Sequence, residues 1–214
     1  MSDSTHRLIA FTGAGISKAS GIPTFEDMGE EFRKKLSRDV FNKNPEELCK
    51  ALIDMKYTFD MSMPNAAHIS LARYGIPIIT MNIDGLHKKA GSSKVIEVHG
   101  NCEYVDCLQC QTVHPFSILS SGVNCPVCGC VLQPNVVLYG DDYKQNFDDA
   151  IDLISHAHEM IIIGTSFFTS TATYMKSIAE SRGVKITIFN EYAEIKLPLY
   201  LEALSDGHGS ILEF

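Results

Sequence analysis

Two pairs of cysteines stand at a spacing that suits a metal ion. Cys107 and Cys110 form one CxxC pair, Cys125 and Cys128 form a second, and fourteen residues separate the pairs. Each pair can bring two thiolates to one ion, and two pairs complete the tetrahedral sphere that Zn²⁺ prefers. Because four thiolates leave no position for water, we expect one structural zinc ion. The alternative is a pair of redox dithiols, which the spacing favours less.

The other cysteines and one histidine offer substitutes for those ligands. Cys102, Cys130 and His114 lie close to the CxxC pairs in the sequence. We expect Cys102 and Cys130 to be buried thiols without a metal, because the two pairs already complete a coordination sphere. Cys49 falls in a helical pattern and is expected to pack within that helix.

A glycine-containing turn near the start of the chain has the composition of a phosphate loop. The segment 13–17, Gly-Ala-Gly-Ile-Ser, follows an apolar strand predicted at 7–11 and opens a short helix. Glycines let the backbone approach a pyrophosphate, and the free N–H groups of a helix start attract anions. The next glycine is Gly21, so the spacing is not GxGxxG, and a simple tight turn is the alternative.

Three side chains combine an amide, a carboxylate and an imidazole. Asn82 and Asp84 follow an apolar strand predicted at 76–80, and His99 follows another predicted at 95–98. An imidazole suits general-base chemistry because its ordinary pKa is about 6.5. A lone histidine is otherwise most often a satisfied core residue, and Asn-x-Asp before Gly85 is otherwise most often a helix cap.

Strands and helices alternate along most of the chain, and this order must position those groups. Further apolar strands are predicted at 136–139, 160–163 and 185–189, and helices at 65–74, 147–158 and 171–182. This alternation predicts an α/β fold, a Rossmann-like parallel sheet with helices on both faces. Such sheets bind ligands at the carboxyl ends of their strands, where the loops 13–17, 80–84, 164–166 and 190–191 are expected.

One stretch departs from that alternation. Residues 102–130 hold six of the seven cysteines, with turn residues between them and no helical period. We therefore predict two domains. The Rossmann-like domain comprises 1–30, 60–100 and 132–214, and a small zinc-binding and helical domain comprises the helical insert 31–59 and the zinc module 101–131.

Composition narrows the class of protein. The chain has 214 residues, 45% of them hydrophobic, and a net charge of −8. The sequence lacks the basic patch that a nucleic-acid-binding protein usually shows, so we expect no nucleic-acid partner. The polar start at 1–5 lacks the apolar core of a signal peptide, and no apolar run is long enough to cross a bilayer. We expect a cytoplasmic monomer that does not associate with membranes.

The ordered segments together resemble the sirtuin family of NAD-dependent protein-lysine deacylases. The resemblance runs in family order from Phe11 to Asn190 and so covers nearly the whole chain. The segments that carry it are 13–17, 20–23 with Phe25, 64–68, 80–87, 98–100, the paired CxxC module, 136–141, 164–166 and Asn190.

The resemblance implies the chemistry of the three catalytic side chains. An acyl-lysine carbonyl attacks the nicotinamide ribose of NAD, nicotinamide leaves, and His99 acts as general base on a ribose hydroxyl. Asn82 would orient the ribose and a water molecule, and Asp84 would accept a hydrogen bond from the nicotinamide amide. The products would be nicotinamide, O-acyl-ADP-ribose and a deacylated lysine.

The resemblance also implies the binding residues. Phe25 would screen the ribose once nicotinamide departs, and Asn190 would hold the adenosine ribose. The residues 137–140 would bind the acylated lysine peptide through Val137, Leu138, Tyr139 and Gly140. The full set expected to contact NAD is Gly13, Ala14, Gly15, Ile16, Ser17, Gly21, Ile22, Pro23, Phe25, Met81, Asn82, Ile83, Asp84, His99, Gly164, Thr165, Ser166, Asn190 and Glu191.

The chain departs from the family pattern at several positions. Glu26 stands where sirtuins usually have Arg, so Arg33, Arg38 or a lysine would have to supply that charge. Met81 replaces a usual Gln, and 168–172 replaces a Val-x-Pro-Ala segment that pairs with the substrate peptide. The Tyr-x-x-Arg pair that reads succinyl groups is not evident in 26–40.

These departures leave two alternatives beside a deacylase. One is an NAD hydrolase or ADP-ribosyltransferase on the same scaffold, which Glu26 and the altered peptide loop favour. The other is a nucleotide-binding interaction module without activity, against which the trio Asn82, Asp84 and His99 argues.

Overall fold

Five of the strands form one parallel sheet in the computed structural model, which describes residues 8–141, 146–167 and 169–206. In chain order the strands are β1 (Leu8–Thr12), β2 (Ile78–Thr80), β3 (Val95–Glu97), β4 (Gly100–Cys107), β5 (Thr112–Pro115), β6 (Gln133–Val136), β7 (Glu159–Ile163) and β8 (Lys185–Phe189). The order of strands in the parallel sheet is β3-β2-β1-β7-β8, and every neighbouring pair is parallel.

Helices cover both faces of this sheet, as the alternation predicted. They are α1 (Glu30–Lys35), α2 (Arg38–Lys43), α3 (Pro45–Met61), α4 (Ala66–Arg73), α5 (Leu86–Lys89), α6 (Phe147–Ser155), α7 (Ser170–Ser181), α8 (Ala193–Ser205) and the 3₁₀ helices Ala14–Ser20 and Phe116–Ser121. None of the helices in the described part of the chain is both long and apolar enough to span a membrane.

Alternate residues of each central strand face opposite cores, because side chains in a strand point to opposite faces. In β1, Ile9 and Phe11 pack with α6 and α7, whereas Ala10 packs with α4 and α8. All three residues are completely buried. A strand that is covered on both faces has a continuous apolar sequence, and for this reason these strands could be predicted from the sequence.

The order of strands reverses at β1. The chain runs from β1 to β2 on one side and reaches β7 on the other, and Thr12 at the end of β1 lies beside both Thr80 and Ile163. In open α/β sheets a crevice forms outside the carboxyl ends of the strands at such a reversal. The loops that follow β1, β2 and β7 therefore meet at one edge of the sheet.

The strand predicted at 136–139 is wrong in place and in pairing. The strand is Gln133–Val136, and β6 pairs antiparallel with β4 in a separate three-stranded sheet of order β5-β4-β6. Beyond Val136 the backbone stays extended but changes partners, since Val137 N–H donates to His99 and Tyr139 N–H donates to Leu36. An apolar run shows that a segment is buried, but it does not show which strand it joins.

A third core joins the first helices to the cysteine-rich sheet. Leu48 and Leu52 of α3 are buried with Phe116 of the zinc module and with Leu132, which directly follows that module. Asn44 caps α3 by accepting a hydrogen bond from Glu47 N–H, with Pro45 in the first turn as predicted. The helical insert and the zinc module thus share one core, while the domain boundaries given above stay a prediction.

The loops after β1 and β7 touch through their backbones. Gly15 N–H donates to Gly164 O at 2.9 Å. A Cβ atom at Gly15 would lie 2.6 Å from the Gly164 Cα, and one at Gly164 would lie 2.1 Å from the Ile16 nitrogen. Gly164 also has a φ of +61°, a conformation that L side chains rarely adopt. Glycine is thus required at both positions by contact between loops.

Gly164→Ala should therefore destabilise the protein far more than Gly183→Ala. Gly183 has a similar φ of +71°, but nothing lies within 4 Å of its Cβ position, so alanine there meets only backbone strain of about 1–2 kcal/mol. At Gly164 the collision with Ile16 adds to that strain, and we expect a loss of about 3–5 kcal/mol. Urea unfolding of both variants measures the difference, and equal losses would contradict the loop contact.

Candidate functional site

A buried hydroxyl connects two of the predicted catalytic residues. Ser17 Oγ donates to Asp84 Oδ2 at 2.6 Å and accepts from Asn82 Nδ2 at 3.2 Å. Asn82 Nδ2 also lies 3.2 Å from Asp84 Oδ2, and Leu86 N–H donates to Asp84 Oδ1 at 2.9 Å. Ser17 is completely buried, and the carboxylate is thus held at both oxygens.

Burial and hydrogen bonding oppose one another at Asp84. Burial raises the pKa of this carboxyl, while the bonds from Ser17, the Leu86 backbone and Asn82 lower it, and the net pKa lies above the ordinary value. A carboxyl that has lost hydration gains from any further hydrogen-bond donor that reaches it. Asp84 can therefore act as an acceptor for a bound amide, and its bond from Leu86 N–H closes an Asx turn at the start of α5, whose N-cap is Gly85.

Two histidine rings, His68 and His87, pack beside this network with their centroids 4.9 Å apart and their planes tilted by 55°. Asn65 N–H donates to His68 Nδ1, so the proton of the neutral ring is on Nε2, which lies 3.4 Å from Ser17 Oγ. His87 Nε2 lies 2.9 Å from the hydroxyl of Thr12. Burial lowers the pKa of His68 to about 4 and that of His87 to about 3. Both rings are therefore neutral at pH 7 and structural.

His99 lies between β3 and β4 and is partly buried. Its Nε2 atom is 3.2 Å from Thr171 Oγ1, in the first turn of α7. Burial lowers the pKa of the imidazole, and a hydrogen bond to the Met81 backbone raises it, with burial the larger effect. The ring is thus neutral at pH 7, the form that a general base requires.

The backbone of the glycine turn is already engaged. Gly13 N–H donates to Ile163 O and Gly15 N–H donates to Gly164 O, both at 2.9 Å. The expectation that free N–H groups of this turn face an anion is therefore wrong for these two residues. Their carbonyl partners belong to β7 and its loop, so the turn is fastened to the neighbouring strand.

Two polar side chains shape the loop after β7. Thr165 is 3% exposed, and its Oγ1 has no hydrogen-bond partner among the described residues. The same atom lies 2.4 Å from the Cβ position of Gly13, so a side chain there would collide with it. Asn190 bonds the backbone of Thr165 in both directions, accepting from its N–H and donating to its O. Because the amide nitrogen has two hydrogens, Asn190 keeps one donor.

Two aromatic side chains, one after the first 3₁₀ helix and one after β6, pack against each other. The rings of Phe25 and Tyr139 are 4.9 Å apart, and the Arg33 guanidinium lies 5.5 Å from the Phe25 ring centre. These three residues border a cavity of about 500 Å³. Arg38 is used elsewhere, because it binds both carboxylate oxygens of Asp141, at 2.6 and 2.9 Å, and this pairing lowers the pKa of Asp141 despite its burial.

The segment predicted to bind the peptide has most of its backbone engaged. Leu138 N–H donates to the Asp141 carboxylate, and Leu138 O accepts from Asp141 N–H. Tyr139 pairs with Leu36 and Arg38. Among hydrogen bonds between described residues, Val137 O and both backbone groups of Gly140 remain unused. The side chain of Leu138 is 4% exposed and belongs to the core, not to a binding surface.

The structure brings only part of the predicted set into contact. Ser17, Asn82 and Asp84 are directly bonded, while Ser166 and Glu191 are exposed and make no hydrogen bond to another described residue. Of the apolar members, Ile16 and Ile22 are core residues and Ile83 packs against the core. Gly21 ends the first 3₁₀ helix, and Pro23 is exposed. Phe168 lies outside the described residues.

Two residues near the site were not selected from the sequence. The sequence pattern indicates Arg33 only as a substitute for a missing charge. It indicates Thr171 only as part of a segment that departs from the family pattern. That departure was the available signal, since a hydroxyl stands where the family has proline. Which ring nitrogen the hydroxyl meets depends on how α7 packs, which sequence does not give.

The four cysteines of the two CxxC pairs form one cluster. Their sulfur atoms all lie within 4.8 Å of one another, with Cys107 and Cys128 at 3.4 Å and Cys110 and Cys125 at 3.7 Å. A tetrahedron with zinc–sulfur bonds of about 2.3 Å has edges of about 3.8 Å, so the set fits one zinc ion. His114 lies outside the set, its Nε2 atom 3.6 Å from Cys125 Sγ.

The leftover cysteines follow the predictions in part. Cys49 is buried within α3, as expected, and Cys102 is 2% exposed. The expectation of burial is wrong for Cys130, which is exposed. Burial raises the pKa of the Cys102 thiol to about 12, so it is an uncharged core residue.

Comparison with known proteins decides the family. Residues 13–170 match the model of the Sir2 family. The chain belongs to the Sir2 family. Among curated Sir2 relatives, the NAD-dependent protein deacetylase of Caldivirga maquilingensis is 35% identical over 217 residues, covering 91% of this chain and 84% of the relative. That of Thermotoga maritima is 36% identical, covering 85% and 80%.

Solved Sir2 structures share the fold. One, described as Sir2 with a p53 peptide and NAD⁺, superposes with a TM-score of 0.81 at 29% identity and covers 96% of this chain and 95% of its own. Another, Sir2 bound to acetylated peptide, has a TM-score of 0.81 at 29% identity and covers 97% and 96%. The predicted fold class, a Rossmann-like sheet with a small zinc module, is confirmed.

The cysteine cluster predicts which thiols hold the metal. Purified protein should carry one zinc ion per chain, and Cys125→Ser should lose it, because three thiolates leave the tetrahedron incomplete. Cys130→Ser is the matched control, since Cys130 is exposed, adjacent in sequence and outside the cluster. Elemental analysis measures the ion in both variants. Loss of zinc from Cys130→Ser, or its retention by Cys125→Ser, would refute the assignment.

Proposed function

We propose that this Sir2-family protein is an NAD-dependent protein-lysine deacylase. The observation that carries the proposal is the bonding of Asn82 and Asp84 to Ser17 after β2, at the carboxyl edge of the sheet where His99 follows β3. A protein that only bound a nucleotide would not need a buried carboxyl and a neutral imidazole there. The related proteins are named as NAD-dependent deacetylases and deacylases, which supports the same activity.

The loops beyond β1 and β7 fit a dinucleotide. Thr165 Oγ1 is buried without a partner among the described residues, and a ligand hydroxyl or phosphate oxygen would satisfy it. The spare donor of Asn190 lies beside the same loop. Bound NAD would supply an ADP-ribosyl group with nicotinamide as the leaving group.

The protein's side chains would divide the work between departure and proton transfer. Asp84 would accept from the carboxamide of nicotinamide, an interaction that its poor solvation strengthens. Asn82 would hold the ribose and a water molecule through its amide. His99 would take the proton of a ribose hydroxyl, because its neutral ring is the reactive form at pH 7. Phe25, packed against Tyr139, would exclude water after nicotinamide departs.

An acylated peptide can pair with the segment after β6. Gly140 has both backbone groups unused by described residues, and an extended peptide can bind such groups as an added strand. Val137 O can accept from the amide N–H of the acylated lysine. The engaged backbones of Leu138 and Tyr139 limit the pairing to these positions.

Arg33 would replace the positive charge that Glu26 removes from the first motif. The sequence offers Arg33, Arg38 or a lysine for this charge; Arg38 is paired with Asp141, and the nearby Lys18 and Lys34 are paired with Asp27 and Glu30. Arg33 has no ion pair with a described residue and lies over Phe25. Its planar fork suits a phosphate of the nucleotide.

An NAD hydrolase or ADP-ribosyltransferase is the second candidate. Polar residues, Thr169 and Ser170, stand where the family has a peptide-binding segment, and they favour water or another nucleophile over a peptide. The expectations of a monomer, of a cytoplasmic location and of no nucleic-acid partner stay predictions.

The decisive experiment is release of nicotinamide from NAD with and without an acetyl-lysine peptide. We expect release only with peptide, and we expect formation of the deacylated peptide to fall roughly 100-fold or more in His99→Ala, because the general base that acts after nicotinamide leaves is lost. His156→Ala is the control, because His156 is an exposed histidine at the end of α6 and is far from His99 in the chain. Release without peptide would favour the hydrolase, and no release in any condition would contradict both activities.

Arg33→Ala should raise the KM for NAD about tenfold with a smaller change in kcat, because a charge-assisted hydrogen bond to phosphate is lost. Lys34→Ala is the neighbouring control, since Lys34 is exposed and paired with Glu30. Adding Glu26→Arg to Arg33→Ala should restore part of the affinity by returning a guanidinium to the motif. Equal KM values for Arg33→Ala and Lys34→Ala would refute the assignment.

A further inference from the structure

A threonine hydroxyl meets the ring of His99. Thr171 Oγ1 lies 3.2 Å from His99 Nε2 and belongs to the first turn of α7. Thr171 is 6% exposed. The contact joins segments that are 72 positions apart in the chain, so it forms only when α7 packs beside the segment between β3 and β4.

Helix capping does not account for this hydroxyl. The cap of α7 is Thr169, whose side chain accepts from Ala172 N–H. Threonine in a helix often bonds the carbonyl of the preceding turn, as Thr173 does with Thr169 O. The hydrogen bond found for Thr171 Oγ1 is instead to His99. A buried hydroxyl whose side-chain partner is an imidazole has its position fixed by that ring.

The donor and acceptor in this contact follow from the other side of the ring. A neutral imidazole carries one N–H and one lone pair. A hydrogen bond to the Met81 backbone favours the charged ring, as donation to a carbonyl does. With Nε2 facing Thr171, the ring N–H directed at Met81 is on Nδ1. Thr171 therefore donates its hydroxyl proton to the Nε2 lone pair.

We propose that Thr171 is a positioning residue for His99, holding the lone pair of Nε2 in one orientation and fixing the Nδ1–H tautomer. With Nε2 held by Thr171, the ring keeps one orientation, in which Nε2 is the atom that can accept a proton. A ribose hydroxyl can take the place of the threonine hydroxyl on Nε2, because both are neutral O–H donors. The role in turnover rests on the proposed deacylase function, whereas the tautomer does not.

The tautomer is tested by ¹⁵N NMR of the histidine rings in the free protein. Comparison with His99→Gln assigns the resonances of His99. We expect a pyridine-type Nε2 for His99, whereas His68, with Nδ1 accepting from Asn65, should show a pyridine-type Nδ1. In Thr171→Val the Nε2 resonance of His99 should move toward that of a nitrogen without a hydrogen bond, and Thr171→Ser should keep the wild-type position.

Kinetics with NAD and an acetyl-lysine peptide test the consequence. Thr171→Val should lower kcat about fivefold with little change in the KM for NAD, the effect expected for one neutral hydrogen bond. Thr171→Ser should restore most of the rate. Thr173→Val is the control, because Thr173 is exposed on the same helix and bonds only backbone carbonyls. Melting temperatures of all variants identify any loss of rate that comes from unfolding.

The outcomes separate this proposal from the deacylase assignment. A protonated Nε2 in His99, or a resonance that Thr171→Val leaves in place, would overturn the positioning role whatever the activity. Equal kcat values for Thr171→Val and Thr173→Val would overturn it for turnover. Absence of nicotinamide release by the wild-type protein would instead contradict the proposed function, while the NMR result would still decide the contact.

Discussion

The site depends on a contact between two backbones that no side chain could permit. Gly15 and Gly164 lie so close that a Cβ atom on either would meet the other loop within 2.6 Å. The hydrogen bond from Gly15 to Gly164 fixes the start of the first 3₁₀ helix against the end of β7. Ser17 follows two residues later, so the position of its hydroxyl beside Asp84 is set by the same contact.

Once Ser17 is in place, the polar groups beneath the cleft become mutually dependent. Its hydroxyl serves Asp84 and Asn82 and lies beside His68, while Thr80 accepts from the Asn82 backbone. Ser17, His68, Thr80 and Asn82 are buried and Asp84 is partly buried, so removing one partner would leave another unpaired at a cost of about 1–3 kcal/mol. The interior network therefore holds the Asp84 carboxyl in one geometry before any ligand binds.

Sequence patterns predicted the parts of the molecule that follow from burial and spacing. The strands were found as apolar runs, the loops were placed at one edge of the sheet, and two CxxC pairs gave the metal cluster. The pairing of 136–139 was wrong, because an apolar run does not specify its partner strand. The free N–H groups expected at Gly13 and Gly15 are bonded to β7, which only the tertiary structure decides.

The differences from the family pattern lie at the rim of the site, and solvation explains why. Glu26 is exposed, and the Arg33 guanidinium lies over the Phe25 ring without an ion pair to a described residue. A charge moved along an exposed rim keeps its hydration, so such a change costs little in stability. The same change at Asp84 or Asn82 would break several buried hydrogen bonds at once. Substitutions at the rim can therefore change which ligand binds, while the buried network of Ser17, Asn82 and Asp84 stays the same. Thr171 lies between the rim and this network, because it is buried but belongs to the segment 168–172 that departs from the family pattern.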